Sequence, residues 1–253
     1  MPPLYKKSTV DWQIKSAQHA LFLDLDGTLI DIAPEPDAVI ITGWLIEVLK
    51  KLYENFEGAI SLCSGRSIQN IDALLHMPFL PVIGLHGLEC RLSKNKVFHT
   101  SPSPAFLHIT GRVADFAQQE AGLIAENKGA AIALHYRCRP DLENFCKDFA
   151  HKLASDMPGE FSVQQGKMVL DIKMPGPDKG KALALNMQNY PFKMRKPIMF
   201  GDDLTDELAF KAALDHDGFG ILVSEFNRPS FAVARLKKPV DVLHALDAAL
   251  YKI

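Results

Sequence analysis

Apolar runs that end in acidic residues occur twice in this chain. The first, Ala20-Leu21-Phe22-Leu23, leads into Asp24-Leu25-Asp26-Gly27-Thr28-Leu29. The second, Pro197-Ile198-Met199-Phe200-Gly201, leads into Asp202-Asp203-Leu204-Thr205-Asp206. Apolar runs of this length bounded by a turn signal predict buried strands. Residues two apart on a strand share a face, so Asp24 and Asp26 can point into one space. Gly27 lets the backbone turn sharply after them.

Between these runs the pattern alternates. Leu45, Val48, Leu49 and Leu52 fall at helical spacing behind Thr42, a candidate N-cap. Gly58 to Cys63 predicts the second strand, and Ile68, Ile71, Leu74 and Leu75 predict the helix after it, with Ser67 as its cap. A third strand covers Pro81 to Leu85, and Cys90 to Thr100 predicts a hairpin with Lys94-Asn95-Lys96 at its tip. Pro34 and Pro36 argue against a helix over Ile30 to Pro36, which could instead arch as a flap over the carboxylates. Met1 to Ala17 reads as a loose lead-in.

Ser101-Pro102-Ser103-Pro104 and Pro175-Gly176-Pro177 are linker signals. They divide the chain into a core, 1–102 with 177–253, and an inserted segment, 103–176. The insert predicts a helix over about Phe106 to Leu123, a strand pair ending in Ala130 to Arg137 and a helix over about Asp141 to Ser155. A second strand pair follows, Phe161 to Gln165 and Met168 to Lys173. That αββαββ order differs from the alternating order around it and fits an α+β module inserted into an α/β core. The core resumes with a helix opened by Lys179-Gly180-Lys181, the second acidic strand and a helix over Leu204 to Ala213. A short strand at Gly220 to Val223 and a last helix over Pro239 to Leu250 complete it.

Composition changes this picture little. The chain has 253 residues, 47% hydrophobic and 23% charged, enough for one large domain or two small ones. A net charge of −2 gives no basic footprint for nucleic acid. No apolar stretch has membrane-span length, and Met1 to His19 lacks the apolar core of a signal peptide. Cys63, Cys90, Cys138 and Cys146 include no Cys-x-x-Cys pair, so free buried thiols in the cytoplasm are expected.

The acidic clusters carry the chemistry. An Asp-x-Asp-Gly turn alone is more often structural than catalytic. Two strands delivering carboxylates suggest one shared site at the C-terminal edge of an α/β sheet. Two like charges about 4 Å apart repel by about 4 kcal/mol at an effective dielectric near 20, so such a cluster calls for a cation. Oxygen-only ligands favour a hard ion, magnesium above all. A hydroxyl at the end of a strand and before a helix suits a phosphoryl oxygen, although Ser64 or Ser67 could equally be a simple N-cap.

Asp24-Leu25-Asp26-Gly27-Thr28 resembles the first motif of the haloacid dehalogenase (HAD) superfamily, and Gly201-Asp202-Asp203-Leu204-Thr205-Asp206-Glu207 resembles its fourth. Ser64 and Lys179 match the second and third by position. Within the superfamily the chain is most similar to the bacterial trehalose-6-phosphate phosphatases, from about Ala20 to Leu250. Ser64-Gly65-Arg66-Ser67, Gly84-Leu85-His86-Gly87-Leu88-Glu89, Ala133-Leu134-His135-Tyr136-Arg137 and Gln164-Gln165-Gly166-Lys167 join the two acidic motifs in that likeness.

The resemblance implies a Rossmann-like HAD core with a mostly parallel sheet and an αββαββ cap that recognises the sugar. It implies Asp24 as nucleophile, Asp26 as general acid and base, and Ser64 and Lys179 on the phosphoryl oxygens. Magnesium would sit on the Asp24 carboxylate, the Asp26 carbonyl and Asp202, with Asp203 and Asp206 supporting them. Substrate contacts are expected from Arg66, His86 and Gly87 in the core and from Glu126, Lys128, Arg137 and Asp171 in the cap. At the last of these the family usually carries Glu. The cap is expected to move as substrate enters and product leaves.

A sugar-phosphate substrate follows, with no nucleic acid, membrane or obligate protein partner implied. Competing readings are a phosphatase for another sugar phosphate (sucrose 6-phosphate or a mannosylglycerate phosphate), a phosphomutase, a non-catalytic sugar-phosphate sensor and a scaffold subunit.

Overall fold

The computed structural model describes residues 14–33, 38–166 and 168–250. These fall into two compact units: 14–33, 38–98 and 177–250 in one, and 99–166 and 168–176 in the other. Most of the lead-in, the Pro34 to Pro36 part of the flap and Lys167 of the Gln-Gln-Gly-Lys stretch lie outside the described residues.

The first unit is built on an eight-stranded sheet. Its strands are β1 (His19–Asp24), β2 (Ile60–Cys63), β3 (Val82–Gly84), β4 (Glu89–Ser93), β5 (Lys96–His99), β10 (Lys196–Gly201), β11 (Phe219–Val223) and β12 (Ala234–Leu236). They lie in the order β12-β11-β10-β1-β2-β3-β4-β5. Pairing is parallel from β12 to β3, and β4 turns antiparallel. Five of the six residues of β1 and five of the six of β10 are buried, so the central strands are covered on both faces.

The covering helices are α1 (Gly43–Asn55), α2 (Ile68–Leu75), α5 (Lys179–Met187), α6 (Glu207–Asp215) and α7 (Pro239–Leu250). Helix α5 packs against α6, and α1 packs against α7. Thr42 caps α1 and Ser67 caps α2, each accepting from the N–H three residues on. Those hydroxyls satisfy donors that the first helical turn leaves orphaned.

β1 takes β2 as one neighbour and β10 as the other. From β1 the chain proceeds through β2 to β3, whereas from β10 it proceeds the opposite way through β11 to β12. The order therefore reverses between β1 and β10, the position in an open α/β sheet where the strand ends leave a crevice.

The second unit has the expected αββαββ order: α3 (Pro104–Gln118), β6 (Ile124–Asn127), β7 (Ala131–His135), α4 (Glu143–Asp156), β8 (Ser162–Gly166) and β9 (Val169–Lys173). Its antiparallel sheet runs β6-β7-β9-β8. Ile132, Leu134, Leu170 and Ile172 belong to one buried cluster with Phe106, Ile109, Val113, Cys146 and Leu153 of the helices.

The elements differ from the sequence pattern in three places. Helix α3 starts at Pro104, with Ser103 as its cap, because proline suits the first helical position. It also stops at Gln118 rather than near Leu123, and Gly122, at φ 94°, lies in the turn that follows. The three-residue edge strand β12 has no counterpart in the apolar pattern. All four cysteines are free, but Cys138 is exposed rather than buried. Burial pushes the Cys146 thiol up to about 11.

Candidate active site

The in-register pairing of β1 with β10 decides where the acidic residues meet. Leu23 lies opposite Phe200, so the next residues, Asp24 and Gly201, end the two strands side by side. The chain after Gly201 turns back at once. Asp206 Oδ2 accepts from the N–H groups of both Asp202 and Asp203, at 3.0 Å each. Asp203 accepts from the Leu204 N–H and opens the short helical turn Leu204–Asp206. Gly201 has to be glycine for this: an added Cβ would lie 2.5 Å from the Asp206 carboxyl carbon. Gly27 faces a similar demand. Its φ is 89°, and a Cβ there would overlap the Asp202 carboxylate.

Carboxylate oxygens of Asp24, Asp202 and Asp206 lie within 4.8 Å of one another. All three residues are buried, and so is the lysine that faces them. Lys179 is the first residue of α5, placed by Asp178, which caps that helix through the Lys181 N–H. Lys179 Nζ donates to Asp24 Oδ1 at 2.8 Å and to Asp206 Oδ1 at 2.6 Å.

Burial raises the pKa of Asp24 well above the usual carboxylate range. The Lys179 charge works the other way, but Asp206 and Asp202 add to the rise. Burial alone would lower the pKa of Lys179; the charges of Asp206 and Asp24 outweigh it and hold it well above an ordinary lysine.

This donor set fits a hard divalent cation. With all three carboxylates ionised, one ammonium leaves two negative charges in a buried pocket of oxygen atoms. The carboxylates differ in how far they are free to serve it. Asp206 spends one oxygen on Lys179 and the other on two backbone N–H groups, so it braces the cluster. Asp24 gives Lys179 one oxygen.

The remaining core residues flank this cluster. Asp24 pairs with Cys63 across β1 and β2, which brings Ser64, the next residue, alongside. Ser64 is buried, and its Oγ accepts from the Arg66 N–H at 3.1 Å. The Arg66 guanidinium grips Asp26 with two hydrogen bonds, 2.7 and 2.8 Å, and Asn70 with a third at 2.9 Å. Arg66, expected at the substrate, forms an ion pair with Asp26, the second aspartate of the first motif. His86 is in the left-handed region at φ 55° and donates its N–H to the Ser64 carbonyl. Its ring lies where a Cβ on Gly65 would sit, 2.5 Å from Nε2. At Gly87 a Cβ would come within 2.6 Å of the Asp178 carbonyl, so this glycine admits the chain that delivers Lys179. Glu89, at the end of the same motif, accepts from the Ile68 N–H at the start of α2.

In the second unit, Glu126, Ala133, Asp171 and Gln164 lie opposite one another across the four strands and share one face. The helices cover the other face. Lys128 Nζ lies 3.3 Å from Asp171 and 3.7 Å from Glu126, and His135 Nε2 lies 3.0 Å from Glu126. Burial works to raise the pKa of Glu126, but the His135 hydrogen bond and the Lys128 charge prevail and lower it. Arg137 lies in the turn after β7, apart from that strand-to-strand row.

Beside the fourth motif, sequence reasoning missed the partner of Glu207. Arg228 and Glu207 are joined Nη1 to Oε1, and the guanidinium also donates to the Asp203 carbonyl at 3.0 Å. Glu207 stands at the end of the fourth motif, but Arg228 lies in a loop without periodic pattern, so no local signal marks it.

Comparison with known proteins agrees with this geometry. The trehalose-phosphatase family model matches residues 22–239. Trehalose-6-phosphate phosphatase of Escherichia coli (strain K12) is 40% identical over 197 residues, 77% of this chain and 73% of that protein. The C-terminal domain of trehalose-6-phosphate phosphatase from C. albicans superposes with a TM-score of 0.78 at 20% identity, covering 93% of each chain. A haloacid dehalogenase-like hydrolase from Bacteroides thetaiotaomicron gives a TM-score of 0.65 at 17% identity, covering 91% of this chain and 99% of that one. The fold is that of the haloacid dehalogenase superfamily, and the chain belongs to the trehalose-phosphatase family of phosphoric monoester hydrolases.

Proposed function

We propose that the protein hydrolyses trehalose 6-phosphate to trehalose and phosphate through an aspartyl-phosphate on Asp24, with magnesium as cofactor. The observation that carries this reading is Lys179 Nζ held between Asp24 and Asp206, beside Asp202, at the reversal point of the sheet. A binding module has no need of a buried carboxylate whose pKa is driven up while a lysine is kept charged against it.

In the first half-reaction an Asp24 oxygen attacks phosphorus in line, the bond from phosphorus to the sugar oxygen breaks, and Asp26 gives that oxygen its proton. In the second, Asp26 takes a proton from water as the water attacks phosphorus, and the bond to Asp24 breaks to free phosphate. Arg66 holds Asp26 as a carboxylate through both of its oxygens, the form that takes the proton from water; when Asp26 carries the proton for the sugar oxygen, only one of these bonds is kept. Ser64 and Lys179 hold the other phosphoryl oxygens. The Asp24 carboxylate, the Asp26 carbonyl and Asp202 would hold magnesium, which would supply charge neutralisation and alignment of the phosphoryl group. In this reading 1–102 with 177–253 is the catalytic core, and 103–176 is the unit that recognises the sugar.

Sugar recognition is assigned to the polar face with Glu126, Lys128 and Asp171. Asp171, one methylene shorter than the usual Glu, is reached by Lys128, which ties it to Glu126. No helix among the described residues is long and apolar enough to cross a membrane. The four free cysteines support placing the enzyme in a reducing compartment, the cytoplasm.

A panel of trehalose 6-phosphate, sucrose 6-phosphate, a mannosylglycerate phosphate, glucose 6-phosphate and an aryl phosphate tests the substrate. Trehalose 6-phosphate is expected to give the highest kcat/KM. Lys128→Ala is expected to lower that value roughly 10- to 100-fold, the worth of a charged hydrogen bond, while leaving aryl phosphate hydrolysis near normal. Equal losses on both substrates would remove Lys128 from sugar recognition, and preference for another sugar phosphate would change the substrate.

A further inference from the structure

We propose that Arg228, anchored by Glu207, is a positioning residue that fixes the Asp202–Asp203 loop in the geometry needed to bind the divalent cation. The proposal rests on the reading of Asp24 and Asp202 as cation ligands.

The loop that carries Asp202 is gripped on both sides of its peptide groups. On one side Asp206 Oδ2 takes the N–H groups of Asp202 and Asp203. On the other, Arg228 Nη2 donates to the Asp203 carbonyl at 3.0 Å and lies 3.4 Å from the Asp202 carbonyl. A loop held by its donors alone can still pivot about them. Holding its acceptors as well fixes the peptide planes and, with them, the direction of the Asp202 side chain.

Arg228 is itself held. Its Nη1 pairs with Glu207 Oε1, while Glu207 Oε2 accepts from Ser230 Oγ at 3.1 Å and from the Phe231 N–H at 2.8 Å. Ser230 Oγ in turn accepts from the Ala232 N–H at 3.0 Å. Glu207 is buried at the first position of α6, so the clamp is referred back to a rigid helix and to the segment entering β12. The planar guanidinium spreads its donors over separate nitrogens in a fixed fork, so it can reach a carboxylate and two carbonyls on different sides, whereas an ammonium has its three donors on one atom. Glu207 is not among the carboxylates that gather at the cluster, and Arg228 meets the Asp202 and Asp203 carbonyls, so their effect would run through the loop. Partners that orient a metal ligand typically change metal affinity or activity by about 10- to 100-fold when removed.

The test is Mg2+ binding by isothermal titration calorimetry to the full chain without substrate, with the thermal midpoint in EDTA and turnover against Mg2+ measured on the same proteins. Arg228→Gln is expected to raise the Mg2+ Kd about tenfold or more, with turnover recovering at high Mg2+. Arg228→Lys is expected to give a smaller shift in the same direction. Glu207→Gln is expected to mimic Arg228→Gln, and the double variant to add little, because the two act as one unit.

A Kd equal to wild type in folded Arg228→Gln, or in folded Arg228→Lys should the glutamine variant not fold, would overturn the proposal. So would a turnover loss that high Mg2+ does not restore, since a purely structural role would lower stability without moving the Mg2+ midpoint. Wild-type protein that binds no Mg2+ would instead overturn the cation reading, and the clamp with it.

Discussion

An Asp24→Asn protein is expected to fold normally and to lose turnover by ~10⁴-fold or more, as removal of a nucleophile does. The amide keeps the shape of the carboxyl group and can still accept from Lys179 Nζ, which retains its second partner in Asp206. What it would lack, in the proposed mechanism, is the negative oxygen that attacks phosphorus. The same substitution removes a carboxylate whose pKa is raised by burial and by the charges of Asp206 and Asp202 against the pull of Lys179. In EDTA at pH 7 its thermal midpoint is therefore expected to match or exceed that of wild type. Near-normal turnover in this variant would remove Asp24 as nucleophile, and a collapsed fold would show that its charge is needed for stability.

Lys179→Met is expected to damage both stability and activity. It leaves Asp24 and Asp206 buried without their cation, and breaking a buried ion pair from one side costs ~3–5 kcal/mol. For a chain of this size that is a fall in thermal midpoint of roughly 6–20 °C in EDTA. The deficit should depend on pH with a definite sign. Asp24 has a folded pKa above its unfolded value, so its contribution to stability is complete below the unfolded pKa and is lost as pH rises through the folded one. Without Lys179 that folded pKa rises further, so the variant should lose more stability on going from acid to mildly alkaline pH than wild type does. In wild type, Lys179 keeps its charge throughout that range because its own pKa is raised. A Lys179→Met protein as stable as wild type at mildly alkaline pH would mean that the two aspartates do not need the ammonium.

Much of the site was legible because it lies where local patterns end. The apolar runs before Asp24 and Asp202 became β1 and β10, and their parallel register turned two distant acidic turns into one cluster. Thr42 and Ser67 could be read as caps because capping is a local hydrogen bond. What stayed hidden depends on tertiary contact. Arg66 was visible in its motif, but its partner Asp26 lies 40 residues away. Arg228 meets Glu207 across 21 residues, from a loop with no apolar period to mark it. Strand β12 has only Ala234 buried among its three residues, too little for an alternating pattern to register.

The metal dependence proposed above rests on the same cluster, where a divalent cation would offset the negative charge that Lys179 leaves unbalanced when the three carboxylates are ionised. The most direct measurement is phosphate release from trehalose 6-phosphate by the wild-type protein, with Mg2+, after chelation by EDTA and after Mg2+ is restored. Rapid release with Mg2+, its loss on chelation and its return with added Mg2+ are expected. No release by folded protein in saturating Mg2+, or release that chelation leaves unchanged, would contradict metal-assisted transfer of the phosphoryl group of trehalose 6-phosphate to Asp24.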